Sequence, residues 1–307
     1  MDYIETLNKK AVPSSWVTIG AFDGVHTGHQ TLFRKIVDGA RQANCQSVAI
    51  TFDPLPALFF KRITTDHILT STQERVALIK KLGVDHVIVL DFTREFADID
   101  ALTFMSDVKK ALGLQKLFAG YNFTLGKDQA GTVAVLKEIG QQLDFEVEVV
   151  PPIRHGQEVV SSSNIRKILK TGDVVKAKDY LGRPYALCGR VVHGESRGSK
   201  LGIPTANLSI PGERLLPATG VYATLSHINR KTYISVTNVG VRPTFDNPLP
   251  YPRVEPHLLD TNETFYGKTM TLEFIDYIRP EVRFPDSKAL VAQIQQDITK
   301  TREILKK

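Results

Sequence analysis

The sequence predicts an α/β chain in two parts: a doubly wound parallel sheet, then an antiparallel β-barrel or sandwich followed by a C-terminal helix. Three observations carry this expectation. At 307 residues the chain exceeds ordinary single-domain size, so two domains are expected. Its first half alternates short apolar runs with segments of helical period, as in a parallel sheet covered on both faces. Its second half exchanges the helices for alternating strands joined by Gly/Pro-rich turns. Gly182-Arg-Pro184 punctuates the change and sets expected domains at 1–184 and 185–307.

In the first half, strands are predicted at 16–22, 47–52, 86–92, 116–121 and 146–150. Helices fall between them, near 29–43, 72–82, 100–112 and 131–143. The first of these gathers Leu32, Phe33, Ile36, Val37 and Ala40 on one face. Ser71 and Glu74 read as a capping box that opens the second. Two further helical pieces, 162–170 and 173–181, precede the boundary. Beyond it, β segments are predicted at 186–193, 221–228, 232–239, 254–259 and 270–278. In the last, Met270, Leu272 and Phe274 point one way while Thr271 and Glu273 point the other. A helix over 287–305 carries Leu290, Ile294, Ile298 and Ile304 at roughly helical spacing.

Composition narrows the classes. The chain is 42% hydrophobic and 23% charged, ordinary for a globular protein, with no apolar run of bilayer length. Met1-Asp-Tyr-Ile-Glu5 lacks the basic start and apolar middle of a signal peptide, so a cytoplasmic setting is expected. Cys45 and Cys188 lie far apart and read as two buried thiols of a reducing compartment. The net charge of +6 is scattered, with no basic tail or block, so neither nucleic acid nor membrane is expected as a partner. A modest positive balance suits polyphosphate substrates as well.

The segment Val17-Thr-Ile-Gly-Ala-Phe-Asp-Gly-Val-His-Thr-Gly-His29 runs from strand through a glycine turn into a helix. Gly20, Gly24 and Gly28 allow close backbone approach, and the free N–H groups of a helix start favour an anion. His26 and His29 can donate hydrogen bonds to phosphoryl oxygens as charge builds there. A pair of surface imidazoles beside a turn is one rival reading; a zinc pair is a second, but no further Cys or His stands at ligand spacing. Thr51-Phe-Asp-Pro-Leu-Pro56 and Gly120-Tyr-Asn-Phe-Thr-Leu-Gly-Lys127 follow the second and fourth strands, at the rim of the same crevice. Val160-Ser-Ser-Ser-Asn-Ile-Arg166 sets hydroxyls at a helix start, either as caps or as triphosphate contacts together with Arg166. In the second half, Leu201-Gly-Ile-Pro-Thr-Ala-Asn207 places a hydroxyl and an amide two apart after a rigid proline, a donor set for Mg²⁺ beside phosphates. Glu255 sits in an apolar strand pattern, either as a solvated carboxylate or as a general base.

The Gly20–His29 segment resembles the H-x-G-H signature of the nucleotidyltransferases. With it stand Thr51-Phe-Asp-Pro54, Gly120-Tyr-Asn-Phe123, Ser161-Ser-Ser-Asn-Ile-Arg166, Arg197-Gly-Ser-Lys-Leu-Gly-Ile-Pro-Thr-Ala-Asn207 and Asn238-Val-Gly-Val-Arg-Pro-Thr-Phe245. Glu255 with Leu258-Leu-Asp260, Tyr266-Gly267 and Arg279-Pro-Glu-Val-Arg-Phe284 complete the set. In this order the segments are similar to the bacterial bifunctional riboflavin kinase/FMN adenylyltransferases, from about residue 15 to 300. Three positions depart from the family pattern: Leu55 replaces a histidine, Ser199 replaces the second arginine of an Arg-Gly-Arg loop, and Asn164 replaces an arginine.

The resemblance implies a nucleotidyltransferase domain and then a kinase β-barrel. The barrel would convert riboflavin and ATP to FMN, and the first domain would join FMN to AMP, giving FAD and pyrophosphate. Glu255 would be the base, and Thr205 and Asn207 would hold Mg²⁺. Gly194, Arg197, Gly198, Gly202 and Pro204 would cradle the kinase nucleotide. In the first domain, Gly20, Phe22, Gly24, Gly28, Asn122, Ser162, Ser163 and Arg166 would hold the second ATP around His26 and His29. Phe52, Asn122 and Phe123 in the first domain, and Arg279 and Glu281 in the second, would contact flavin, with Phe59 a further candidate.

Overall fold

A computed structural model describes residues 2–193, 204–210, 214–240, 253–261 and 263–306. The chain forms two compact units, Met1–Ser162 and Ser163–Lys307.

In the first unit, α1 (Tyr3–Asn8) precedes the central strand β1 (Ser15–Ile19). Then come α2 (Thr27–Gln42), β2 (Gln46–Asp53), α3 (Pro56–Phe59), α4 (Thr72–Lys81) and β3 (His86–Asp91). Next are α5 (Arg94–Ala97), α6 (Ala101–Leu112), β4 (Leu114–Gly120), α7 (Val133–Leu143) and, past the short pair β5 (Thr124–Leu125) and β6 (Gly131–Thr132), β7 (Glu146–Val150). The five long strands are all parallel, in the order β3-β2-β1-β4-β7. The chain winds outward from β1 through β2 to β3, then returns past β1 to β4. That reversal opens a crevice at the carboxyl ends of β1 and β4.

Alternation along the strands builds a core on each face. Val17, Ile19, Val48, Ile50 and Leu117 pack with Phe104, Met105, Val108 and Leu136 of α6 and α7. Ala49 and Phe118 join Phe33, Ile36, Val37 and Ile79 of α2 and α4. The face predicted for α2 is the buried one, all five residues of it. A methyl group on Gly39 would stand 1.9 Å from the Trp16 ring, which explains a glycine inside this helix. The Ser71/Glu74 capping box is present.

Beyond the hairpin β8 (Arg154–His155) and β9 (Glu158–Val159), the second unit takes over at α8 (Ser162–Lys170) and α9 (Val174–Leu181). Contact packing divides the chain after Ser162, the first residue of α8, whereas the glycine–proline punctuation expected to mark a domain boundary lies at 182–184. The reason is the apolar face of α9, where Val174, Ala177, Tyr180 and Leu181 are buried and the helix packs on strands of the barrel.

The barrel settles the barrel-or-sandwich alternative. Strands β10 (Tyr185–Val192), β11 (Asn207–Ser209), β12 (Gly220–Ile228), β13 (Lys231–Gly240), β14 (Arg253–Leu258) and β15 (Thr269–Arg279) close in the order β10-β11-β14-β13-β12-β15. Every pairing is antiparallel. As expected, Met270, Leu272 and Phe274 form the buried face of β15. Thr224, Ser226, Ser235 and Thr237 are fully buried too and hydrogen-bond one another at 2.7–2.8 Å. The C-terminal helix, α10 (Ser287–Leu305), lies against β12, β13 and β15. Ile298 and Ile304 pack on the cluster of Val221, Ala223 and Val236. The helix's two fully buried residues are polar, Asp297 and Thr301. The two cysteines are free, as expected, but both are partly exposed, which corrects the expectation of buried thiols.

Two candidate active sites

The histidine turn leaves β1 at the switch between β1 and β4. Phe22, Gly24 and Val25 all have positive φ, at 48°, 81° and 41°. A β-branched residue there is strained and persists only when its surroundings hold it. Asp23 supplies that hold. Its buried carboxylate accepts from the Leu69 and Thr70 backbone N–H groups at 3.0–3.2 Å and from the Thr70 hydroxyl at 3.2 Å. The Gly24 N–H in turn donates to the Thr70 hydroxyl at 2.9 Å. Arg75, almost fully buried, donates to the Phe52 carbonyl at 2.6 Å; burial lowers its pKa and the charges of Asp23 and Asp53 oppose that. The Ser162 hydroxyl reaches the Asp23 carbonyl at 2.8 Å.

His26 caps α2: the His29 N–H donates to its Nδ1 at 3.4 Å. A neutral His26 therefore keeps its proton on Nε2, a hydrogen-bond donor. The two imidazoles stack at 3.6 Å with 18° between their planes, and Phe22 meets His29 edge-on at 5.2 Å. Burial, then the neighbouring His26, pushes the His29 pKa well below the ordinary value, so this ring is neutral near pH 7. Its Nδ1 is buried without a hydrogen-bond partner among the described residues. The spaces left by Gly20 and Gly28 are taken by neighbouring rings, Phe22 and His26 respectively.

The other residues expected around the histidine turn are placed as follows. Asn122 is exposed in the turn after β4, next to half-buried Phe123. Phe52 belongs to the core, and Phe59 packs edge-on with Phe60 and Phe92. Leu55 is buried at the start of α3. Ser163 and Arg166 lie on α8 within the second unit, Ser163 exposed and Arg166 half-buried.

In the second unit, residues distant in sequence meet at a cavity of about 260 Å³ between barrel and C-terminal helix. Thr205, Asn238, Glu255, His257, Arg279, Glu281 and Asp297 supply its polar lining. Glu255 and His257 share one face of β14, and Asn238 stands opposite Glu255 on β13. The Asn238 amide donates to Glu281 at 3.3 Å. Arg279 grips buried Asp297 through Nε and Nη2, with a shortest contact of 2.7 Å, and Gln293 donates to the same carboxylate at 3.1 Å. Pro204 and Thr205 are exposed and line a smaller neighbouring cavity, while Asn207 opens β11 half-buried. Gly194, Arg197, Gly198 and Gly202 lie outside the described residues, as does Ser199.

Sequence reasoning assigned no role to Asp23, Asn238, His257 or Asp297. His257 was readable two residues after Glu255 on an alternating strand. Asp297 was readable as a lone carboxylate between Ile294 and Ile298.

A strained histidine turn at a parallel-sheet switch point in one unit, and in the other a barrel cavity lined with carboxylate, hydroxyl and guanidinium, define a two-unit, nucleotide-using transferase. Residues 8–164 match the FAD synthetase family and residues 181–305 the riboflavin kinase family. Proteins named bifunctional riboflavin kinase/FMN adenylyltransferase are similar along nearly the whole chain. That of Bacillus subtilis is 33% identical, covering 95% of this chain and 92% of its own. That of Escherichia coli is 32% identical, covering 98% and 96%. A crystal structure described as a macrolide-efflux protein from Streptococcus pneumoniae superposes with a TM-score of 0.87 at 34% identity, covering 96% of both chains. No helix among the described residues is long and apolar enough to cross a membrane. The chain belongs to the bifunctional riboflavin kinase/FMN adenylyltransferase family.

Proposed function

We propose that the barrel unit phosphorylates riboflavin with ATP and that the sheet unit adenylylates the resulting FMN. The observation that carries this reading is the shared cavity: Thr205, Glu255, Arg279 and Glu281 line one space although they are spread over two strands and two loops. In the kinase step, Glu255 takes the proton of the riboflavin 5′-hydroxyl as its oxygen attacks the γ-phosphorus of ATP. The bond from that phosphorus to the β-bridging oxygen breaks and ADP leaves. Arg279 and Glu281 orient the flavin. The Thr205 hydroxyl and the Asn207 amide oxygen are hard donors that suit Mg²⁺ and would hold it; the ion supplies charge neutralisation along the phosphates. Pro204, Gly194, Arg197, Gly198 and Gly202 belong to the same nucleotide contacts.

In the second step the nucleophile is the FMN phosphate, already an anion, so no base is required. Its oxygen attacks the α-phosphorus of ATP and pyrophosphate departs. His26 Nε2–H and neutral His29 donate to the phosphoryl oxygens, a role that fits the unsatisfied His29 nitrogen. Gly20, Phe22, Gly24 and Gly28 shape the turn, and Asn122, Ser162, Ser163 and Arg166 complete the nucleotide contacts. Phe123, half-buried beside Asn122, flanks the flavin, while Phe52 packs in the core. A cytoplasmic setting belongs to the same proposal, supported by the free cysteines. The deciding experiment incubates the chain with riboflavin, ATP and Mg²⁺ and resolves the products. FMN followed by FAD is expected; absence of either product removes the corresponding half of the assignment.

A further inference from the structure

We infer that His257 is a positioning residue that fixes the Pro204–Asn207 segment, and with it Thr205, against the strand that carries Glu255. The inference rests on the kinase reading of the barrel cavity. His257 Nδ1 lies 2.7 Å from the Pro204 carbonyl oxygen, which can only accept, so Nδ1 carries the proton. One residue beyond Thr205, the Ala206 N–H donates to the Pro256 carbonyl at 2.9 Å. Thr205 therefore sits between two anchors, one from a side chain and one from the backbone.

The side-chain anchor is needed because little else ties this stretch to β14. The ladder between β11 and β14 has a single paired position, Leu208 with Val254. Pro204 has no N–H with which to extend that ladder toward Thr205. A donor must then come from β14 itself. His257 is suitably placed: it shares a face with Glu255, lines the same cavity as Thr205 and Glu255, and stands opposite Val236. The bond links the residue proposed to hold the cation with the strand proposed to supply the base. The spacing between those two groups is what a phosphoryl transfer needs held.

The test uses the full chain and separates the two ring nitrogens. An asparagine amide nitrogen falls near the Nδ1 position, and a glutamine amide nitrogen near Nε2. Binding of Mn²⁺·ADP, followed by electron paramagnetic resonance, should weaken about 10- to 100-fold in His257→Ala. His257→Asn should restore most of it and His257→Gln should not. FAD formation from supplied FMN should be unchanged in all three. Nitrogen NMR of isotope-labelled histidine in the wild-type chain should show the Nδ1–H tautomer at mildly alkaline pH. An Nε2–H tautomer, unchanged Mn²⁺·ADP binding in the alanine variant, or rescue by glutamine in place of asparagine would each overturn the anchor. A wild-type chain that binds Mn²⁺·ADP and shows the Nδ1–H tautomer, yet leaves riboflavin unphosphorylated, would refute the kinase reading and leave the anchor standing.

Discussion

Glu255 is half-buried at the cavity, so its role can be tested without disturbing the core. Glu255→Gln keeps the size and removes the proton acceptor. FMN formation should fall by a factor on the order of 10² to 10⁴ in turnover, with riboflavin and ATP bound about as before. FAD formation from FMN should persist in the same preparation; full kinase turnover would return Glu255 to a solvated surface role. For His29→Ala the pattern reverses. Losing one donor to a transition-state oxygen costs about 2.7–4 kcal/mol, so FAD formation should drop roughly 10²- to 10³-fold while FMN formation continues. His29 also carries a pH signature. Its pKa is depressed in the folded chain by burial and by His26, so the unfolded chain binds the proton first as pH falls below about 6.5. The neutral ring's contribution to stability is present above that value and is lost as pH falls toward the folded pKa. Thermal denaturation should show wild type losing more stability than His29→Ala between about pH 6.5 and 5. His26 and His29 were legible because a motif lies contiguous in sequence. Asp23, which holds that turn, was not, because its partners Leu69 and Thr70 become neighbours only after folding.

At the scale of elements, period and alternation revealed what buries one face. The α2 stripe and the β15 alternation are examples, and the strand and helix positions followed within a few residues. Elements held by tertiary context were invisible. Strand β11 is three residues with one fully buried side chain, too short to alternate, and α1 buries only Leu7. The apolar stripe expected on α10 is real but half-exposed, and the two buried residues of the helix are the polar Asp297 and Thr301. A buried carboxylate beside an arginine is costly once either partner is missing. Asp297→Ala should lower unfolding free energy by about 3–5 kcal/mol in urea titration, because it leaves Arg279 largely buried and unpaired. Asp297→Asn, which still accepts from Arg279, should lose less. Equal losses would show that packing rather than charge pairing sets the cost.

For the whole molecule, the change of grammar is expected at 182–184, and contact packing groups the chain into two units divided after Ser162. A glycine–proline signal reports where the backbone turns, whereas the division follows where apolar side chains are buried. Residues 1–184 expressed alone should convert FMN and ATP to FAD and leave riboflavin untouched, measured by separating flavins after incubation. A folded fragment that makes FMN would reverse the assignment of chemistries. The two sheets also differ in how they end. The barrel is closed and offers no terminal strand, while the parallel sheet stops at β3 and β7. Both stops are guarded. On β7, Glu146 and Glu148 alternate outward and meet Lys116, and α1 lies against β3. That small N-terminal helix packs against an edge strand, and edge strands with rows of unpaired amides otherwise invite strand-on-strand self-association. Shortening the chain past Asn8 would expose this template, and the cost would be read in solubility and light scattering rather than in catalysis.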